Sequence, residues 1–177
     1  VTSSLLSEEL NTLADKIKYS EKNIKTSATE VATLKRYYSL LEIKDYLLMK
    51  KVSERCGKQF SFVLYFYTTR DNCSECVKQS FVLSTLREKY PDLRVYSFDY
   101  NFDLTAIKSL ISIYKVKDTE LPAVILNDKL LTGFQSIEDI EALLPEEFKA
   151  EASAERELNE EGSAEDATAT PEEKIEK

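Results

Sequence analysis

The segment FSFVLYFYTTRDNCSEC, residues 60–76, decides the fold because it places a strand, a loop and two cysteines in direct succession. Its opening run FSFVLYFY, residues 60–67, is aromatic and β-branched enough to predict a buried strand. Residues 74–90 follow with apolar positions at helical spacing. The order therefore predicts Cys73 and Cys76 at the start of a helix that follows a buried strand.

The helix over residues 74–90 is predicted to bury one apolar face and to begin at a polar cap. The predicted face consists of Val77, Phe81 (or Val82) and Leu86. Asn72 is the expected cap, because an Asn side chain accepts hydrogen bonds from the free N–H groups of a first helical turn.

The chain beyond this helix continues the alternation of strands and helices. Strands are predicted over residues 93–100, 122–127 and 129–134, and helices over 103–116 and 136–145. The expected caps are Asp103 for the first of these helices and a capping box of Ser136 and Asp139 for the second. A tight turn at Asn127 and Asp128 is expected to join the last two strands.

These elements have the order βαβ-α-ββα, which predicts an α/β fold. A right-handed crossover makes the first two strands parallel, and the last two strands form an antiparallel hairpin. The expected result is a mixed four-stranded sheet with helices on both faces.

Two cysteines in a CxxC pattern at a helix start lie within disulfide reach of each other, with the first exposed and the second turned inward. The unpaired N–H groups of the first turn favour a thiolate there. Cys73 is then the expected nucleophile and Cys76 the expected resolving thiol of thiol–disulfide exchange. Arg70 favours the thiolate and both Asp71 and Glu75 oppose it, so the spacing leaves the direction of their net effect open.

Two other interpretations of the cysteine pair compete with redox chemistry. A zinc site needs four ligands, but the chain has no histidine and only one further cysteine, Cys56. We therefore expect no metal site and no other bound cofactor. Two inert thiols that fill space are the remaining alternative. Cys56 itself is expected to be a buried small apolar residue, with an intermolecular disulfide as the alternative.

Composition excludes several classes of function. A chain without histidine cannot use Ser-His-Asp or Cys-His catalysis. The formal net charge of −8 comes entirely from residues 146–177, which hold 12 acidic and 4 basic side chains, while residues 1–145 balance at 20 against 20. The chain has no basic stripe, so nucleic acid is not an expected partner. The acidic segment has few large apolar residues and is predicted to be a mostly disordered tail, with a helix in its first turns as the one structured alternative.

The chain has no Pro or Gly between Leu5 and Val52, and its apolar residues recur there in steps of four and three. This seam predicts either one long coiled-coil-like stalk or two helices that break near Thr26, where Ser27 and Glu30 form a capping box. We favour the stalk, which would pair two copies of the chain or hold a domain away from an anchor. The alternative is a helical extension packed on its own domain.

Residues 60–144 resemble a minimal thioredoxin-fold domain through FVLYFY, CSEC at a helix start, VYSFDYNFD and ELPAVIL. The resemblance implies a thioredoxin-like fold, a cis-proline at Pro122 that faces the CxxC, and a substrate groove beside Leu121 and Pro122. It also implies a glycine at the end of the next strand, which Gly133 supplies. Where the family has a buried Asp, this chain has Tyr65.

The helical leader, with LEIKDYLL and REKYPDLRVYSFDY, is also similar to bacterial membrane-tethered thioredoxin-like proteins of unassigned role. That similarity implies an extracytoplasmic domain, favoured over a cytoplasmic one, whose anchor lies upstream of Val1. The predicted division of the chain is a helical extension over residues 1–57, a thioredoxin-like domain over 58–145 and an acidic tail over 146–177.

Two functions from different classes follow. The first is a thiol–disulfide oxidoreductase that acts through Cys73 and Cys76 on protein or small-molecule thiols and disulfides. The second is a non-catalytic scaffold or interaction module, with self-association or tethering through the N-terminal helix and the CxxC as a static disulfide.

Overall fold

The computed structural model describes residues 2–23, 27–57 and 60–150. Two helices precede the sheet, α1 over Thr2–Lys22 and α2 over Ala28–Cys56. The Ser27 side chain accepts a hydrogen bond from the Glu30 backbone N–H at 3.2 Å, as expected for a cap. Of the two interpretations of the seam, the pair of helices is therefore the correct one.

Helices α1 and α2 pack on each other, so residues of the apolar seam make contacts within one chain. Tyr37 donates a hydrogen bond to Glu9 at 2.7 Å, and Lys35 lies 2.6 Å from Glu21. The seam residues Leu13 and Leu41 are both buried. The favoured single stalk is wrong for the described residues, because the chain forms two separate helices that pack on each other. Self-association through this segment stays a prediction.

The remaining elements follow the predicted order. They are β1 over Ser61–Tyr67, α3 over Cys76–Lys89, β2 over Leu93–Asp99, α4 over Thr105–Tyr114, β3 over Ala123–Leu126, β4 over Lys129–Thr132 and α5 over Ile137–Glu141. The strands form one sheet in the order β2-β1-β3-β4. β1 pairs with β2 in parallel and with β3 antiparallel, and β3 pairs antiparallel with β4.

This arrangement is a thioredoxin-like fold, and it confirms the fold class predicted from the sequence. The turn between β3 and β4 also forms as expected: Asn127 and Asp128 have φ values of 47° and 69°, and a type I′ hairpin turn requires positive φ at both of its central positions. Lys50 of α2 donates to both carboxylate oxygens of Asp128, at 3.0 and 2.8 Å, and so joins this turn to the helical segment.

The sheet separates two hydrophobic cores. Along β1, Val63 and Tyr65 point into the core under α3 and α5, and Leu64 and Phe66 point into the core under α2 and α4, because successive strand residues face opposite sides. Tyr46 of α2 belongs to the second core. The N-terminal helical segment is therefore packed on the sheet.

The helix caps agree with the sequence at two positions and differ at two. Ser136 and Asp139 form the expected capping box. Asn72 and Asp103 do not cap α3 and α4, which is a correction to the sequence analysis. The Asn72 side chain donates to Thr69 inside the preceding turn, and the Asp103 side chain pairs with Lys108. In both places a competing local partner occupies the side chain.

The buried face of α3 also differs from the prediction. Val77 and Phe81 are exposed, Phe81 by 68%. The side chains that α3 buries are Cys76, Gln79, Leu83 and Leu86. The sequence analysis expected the apolar residues Val77 and Phe81 on the buried face. The buried face instead begins at Cys76 of the disulfide and includes the polar Gln79. Of the predicted face, only Leu86 is fully buried.

The folded region continues beyond the predicted boundary at residue 145. Residues 146–150 are helical. Phe148 is almost completely buried in the first core, with its ring centroid 5.8 Å from that of Tyr90. The start of the acidic segment therefore belongs to the core, because one aromatic side chain anchors it. The prediction of a disordered tail concerns mainly residues 151–177, which lie outside the described residues.

Replacing Phe148 by Ala is expected to lower the free energy of unfolding by about 3 to 5 kcal/mol, because it removes a buried ring and leaves a cavity. Phe81→Ala is the matched control, since its ring is mostly exposed and its loss is expected to change stability by less than about 0.5 kcal/mol. Urea unfolding of both variants measures the difference. Equal effects would contradict the packing of residue 148 in the core.

None of the helices in the described ranges is both long enough and apolar enough to cross a bilayer.

Candidate active site

A disulfide between Cys73 and Cys76 lies at the start of α3. The two Cα atoms are 5.4 Å apart, which is within the usual range for bonded cysteines. Cys76 is the first residue of the helix, and its backbone N–H donates to the Cys73 carbonyl at 3.4 Å. The predicted pair is therefore bonded in this structure, at the predicted place after β1.

The loop between β1 and the disulfide folds into a tight turn. The Thr69 carbonyl accepts hydrogen bonds from the backbone N–H groups of both Asn72 and Cys73, each at 3.0 Å. Cys73 is only 6% exposed and Cys76 4% exposed. The prediction of an exposed Cys73 is wrong for the disulfide form, in which the turn holds the residue against the protein. Little of the Cys73 surface is therefore accessible to an attacking thiol.

The Leu121–Pro122 peptide bond is cis, as the family resemblance implied. In the sheet register Ala123 lies opposite Phe66. Pro122 therefore sits at the sheet edge where β1 ends and the chain enters the loop that carries Cys73. Pro122 is buried, and Leu121 is half-buried and packs against the second core. The structure places the predicted groove residues and the disulfide at the same edge.

Tyr65 lies directly beneath the second cysteine. Its hydroxyl donates to the Cys76 carbonyl at 2.6 Å. Burial raises the pKa of this phenol above its ordinary value, and the nearby Tyr67 raises it further. At neutral pH the side chain is thus a neutral donor whose proton is already used. It offers no carboxylate to take a proton from the Cys76 thiol, so that proton must leave by another route.

Arg70 and Glu75, the two predicted modulators of the thiolate, lie close in sequence to the disulfide but do not contact its sulfurs. Glu75 pairs with Lys78 at 3.0 Å on the exposed surface of α3. Arg70 is exposed in the turn before Cys73 and forms no ion pair with any described residue. The structure therefore provides no direct contact between either charge and a sulfur, and their role stays a prediction.

Gln79 is a residue of the site that sequence analysis missed. It is fully buried one turn after Cys76. Its side-chain oxygen accepts from the Gln135 backbone N–H at 2.7 Å, and its nitrogen donates to the Gln135 carbonyl at 3.2 Å. This pairing holds the segment that follows Gly133 and β4 against the active-site helix. The only signal in the sequence is a polar residue three positions after an inward-facing cysteine.

Replacing Gln79 by Leu is expected to lower the free energy of unfolding by about 2 to 4 kcal/mol, because both backbone groups of Gln135 lose their partner. Lys78→Leu is the control, since Lys78 is an exposed neighbour on the same helix. Chemical unfolding of the two variants measures the difference. A stability of Gln79→Leu equal to that of Lys78→Leu would show that the pairing contributes nothing.

Cys56 is exposed and is not part of a disulfide. The prediction of a buried apolar residue is wrong here, because the buried face of α2 ends at Met49 and Cys56 lies about two turns further on. Within the residues that the structure describes, no three His, Cys, Asp or Glu side chains are grouped closely enough to hold a metal ion.

No protein-family model and no curated protein matches the chain. Among solved structures it is similar to thioredoxin-2, described as a component of malaria parasite protein secretion machinery. The two share 29% sequence identity, the match covers 49% of this chain and 82% of the other, and the TM-score is 0.39. None of these findings supports the similarity to bacterial membrane-tethered proteins. The fold assignment follows from the sheet order and pairing of the chain itself.

Proposed function

We propose that this protein is a thiol–disulfide oxidoreductase in which Cys73 is the nucleophile and Cys76 the resolving thiol. One observation carries the proposal: the two cysteines are bonded at the start of α3, at the same sheet edge as cis-Pro122. A redox pair at a helix N-terminus suits exchange chemistry, because the helix favours the thiolate. The groove that positions the substrate is proposed to lie beside cis-Pro122. The reaction needs no bound cofactor.

In the reducing direction, the Cys73 thiolate attacks one sulfur of a substrate disulfide, and the other substrate sulfur leaves as a thiolate and takes up a proton. The Cys76 thiol then loses a proton and attacks the Cys73 sulfur. The mixed disulfide breaks, the Cys73–Cys76 bond forms, and the second substrate thiol leaves. Two electrons pass from the protein to the substrate, and the same steps in reverse oxidise a dithiol.

The substrate we propose is a protein or small-molecule disulfide that enters beside Leu121 and Pro122. The low exposure of Cys73 favours a substrate that can approach as an extended segment or as a small molecule. It also predicts slow exchange, since the rate depends on access to the attacked sulfur. The neutral Tyr65 is expected to slow the exchange further, because it cannot accept the proton that Cys76 must lose.

The proposal is tested by the reduction of insulin disulfides with dithiothreitol as the reductant. We expect the protein to accelerate the reduction, Cys73→Ser to return the rate to that without protein, and Cys56→Ser to leave it unchanged. Cys56→Ser is the matched control because Cys56 is the free, exposed cysteine. An unaccelerated reaction, together with an unaccelerated reaction of oxidised glutathione, would refute catalysis.

The burial of Cys73 also favours a second candidate, a scaffold whose disulfide is static. A static disulfide has a reduction potential far below that of its surroundings and does not cycle. The two candidates differ in one measurable property, the reduction potential of the pair.

A further inference from the structure

The loop between β1 and Cys73, residues 68–72, is buried only at its start. Thr68 is 8% exposed and Cys73, directly after the loop, is 6% exposed, whereas residues 69–72 are all exposed. A segment with so few buried side chains opens at a low free-energy cost unless hydrogen bonds hold it. The hydrogen bonds of the 68–72 loop therefore determine how often Cys73 becomes accessible.

Most of these hydrogen bonds are made within the loop or to Cys73. The Thr69 carbonyl accepts from the backbone N–H groups of Asn72 and Cys73, and the Thr69 hydroxyl accepts from the Asn72 side chain at 3.2 Å. In the part of the chain that the structure describes, one hydrogen bond joins the loop to another segment. It runs from Asn101 Nδ2 to Thr68 Oγ1 and is 2.7 Å long. The internal bonds fix the shape of the loop, and the bond from Asn101 fixes its position.

Asn101 is itself held in place by the turn that follows β2. Its backbone N–H donates to the Asp99 carboxylate at 3.0 Å, and the Asp99 carbonyl accepts from the Phe102 N–H at 3.1 Å. The Tyr100 N–H donates to the Tyr67 carbonyl at 2.8 Å, so this turn is also bonded to the end of β1. The Asn101 side chain therefore reaches the loop from a fixed backbone.

We propose that Asn101 is a positioning residue for the exchange reaction. Through Thr68 it holds the 68–72 loop where the Cys73 sulfur is little exposed, and release of this bond gives an attacking thiolate access to that sulfur. The role in exchange rests on the proposed function. Asn101 is exposed, so its amide is hydrated once the bond breaks, and opening costs about the net contribution of one hydrogen bond.

The step that this bond controls is attack on the Cys73–Cys76 disulfide. A thiolate of dithiothreitol attacks the Cys73 sulfur, and the Cys76 sulfur leaves as a thiolate and takes up a proton. The second dithiothreitol thiol loses a proton and displaces the Cys73 sulfur, which takes up a proton in turn. The reagent becomes a cyclic disulfide, and two electrons pass to the protein. Because attack follows opening of the loop, loss of one hydrogen bond is expected to raise the rate by about three- to tenfold.

The test measures this reduction in the full chain, starting from the disulfide form. Samples taken during reaction with dithiothreitol are quenched with iodoacetamide, and intact-mass spectrometry counts the alkylated cysteines. A Cys56→Ser background removes the signal of the free cysteine. We expect Asn101→Ala and Thr68→Val each to raise the second-order rate constant by the factor given above. The double variant should react no faster than either single variant, because both substitutions remove the same bond.

Two control variants separate this bond from other effects. Thr68→Ser keeps the hydroxyl and should react at the wild-type rate. Phe148→Ala lowers the global stability at the opposite end of α3, where Phe148 packs on Tyr90, and should leave the rate close to that of the wild type. Thermal unfolding of every variant confirms that it is folded at the temperature of the measurement.

Three outcomes would overturn the inference. The first is a wild-type rate in both Asn101→Ala and Thr68→Val, and the second is a rate in Thr68→Ser as high as that in Thr68→Val. The third is an equal acceleration by Phe148→Ala, which would mean that the disulfide reacts through global unfolding.

The proposed function fails in a different experiment, because dithiothreitol reduces the disulfide of the protein itself whether or not the protein is a catalyst. If the wild type does not accelerate insulin reduction while Asn101→Ala is still reduced faster, the exchange function is refuted and the control of Cys73 by Asn101 remains.

Discussion

Replacing Cys76 by Ser is expected to convert the protein into one that accumulates a stable mixed disulfide on Cys73. Without the resolving thiol, the first attack still occurs, but the second step has no nucleophile. Reduced Cys76→Ser is mixed with oxidised glutathione, and intact-mass spectrometry measures the fraction of protein that carries one glutathione. We expect most of the protein to carry it, while the wild type returns to the internal disulfide.

The companion variants assign the adduct to one sulfur. Cys56 is exposed and can form its own adduct, so the measurement uses a Cys56→Ser background. In that background Cys73→Ser is expected to form little adduct, because Cys76 lies within α3 and its carbonyl is held by the buried Tyr65, whereas Cys73 lies in the turn before the helix. An adduct of equal yield on Cys76 would contradict the assigned roles.

Replacing Glu42 by Gln is expected to stabilise the protein at alkaline pH and to flatten its dependence on pH. The pKa of Glu42 is raised from 4.5 to about 8 by burial, opposed by the Ser97 N–H and assisted by Asp45. A group whose pKa is higher in the folded state contributes stability below the unfolded value and loses it as the pH rises through the folded value. The window for Glu42 is therefore about pH 4.5 to 8.

The size of this effect is large for a single side chain. At about 1.4 kcal/mol for each pH unit between the two pKa values, the loss across the window is up to about 5 kcal/mol. Urea unfolding at pH 5.5 and at pH 9 measures it. We expect the wild type to lose several kcal/mol between the two and Glu42→Gln to lose much less. The same loss in both proteins would contradict the buried, protonated state of Glu42.

The other carboxyl groups with shifted pKa values change their contribution to stability at pH values outside this window. Asp128, Asp139 and Glu141 have lowered pKa values, so their contributions are lost only as the pH falls below about 4.5. The control is Glu54→Gln, whose exposed carboxylate lies on the same helix. It should leave the pH dependence of the wild type unchanged.

The strands themselves, the parallel pairing of β1 with β2 and the hairpin of β3 and β4 could be predicted from the sequence, because local patterns and the handedness of the crossover determine them. The antiparallel pairing of β1 with β3, which joins the two halves of the sheet, was not predicted. Runs of β-branched and aromatic residues marked the strands, and the Asn127–Asp128 turn marked the hairpin. The same patterns placed the CxxC at a helix start, whereas the cis bond before Pro122 was implied only by the family resemblance.

Besides the single stalk and the two helix caps, the predictions that were wrong concern which side chains are buried. Apolar spacing favoured Val77 and Phe81, but the fold buries Gln79 because the Gln135 backbone satisfies it. Cys73 was expected to be exposed, but a turn formed by its own loop covers it. The burial of Gln79 depends on a partner distant in sequence and that of Cys73 on the geometry of a loop, and periodicity within one element carries no information about either.

The carboxylates of α2 show the same limit. Glu42 and Asp45 are acidic residues of the kind expected on the exposed face of a helix. They are nevertheless buried, because the Ser97 N–H and the Tyr96 hydroxyl of β2 donate hydrogen bonds to them. Phe148 likewise stands in an acidic segment and is buried by contact with Tyr90. In each case a tertiary partner overrides the local composition.

The most direct test of the central claim is the reduction potential of the Cys73–Cys76 pair, measured by equilibrating the protein in glutathione buffers and counting free thiols. If the protein is an exchange enzyme, we expect a reversible two-electron transition between about −120 and −270 mV. This transition should be absent in Cys73→Ser and retained in Cys56→Ser. A pair that remains oxidised below about −300 mV, or one that never becomes oxidised, would contradict the account and favour the scaffold.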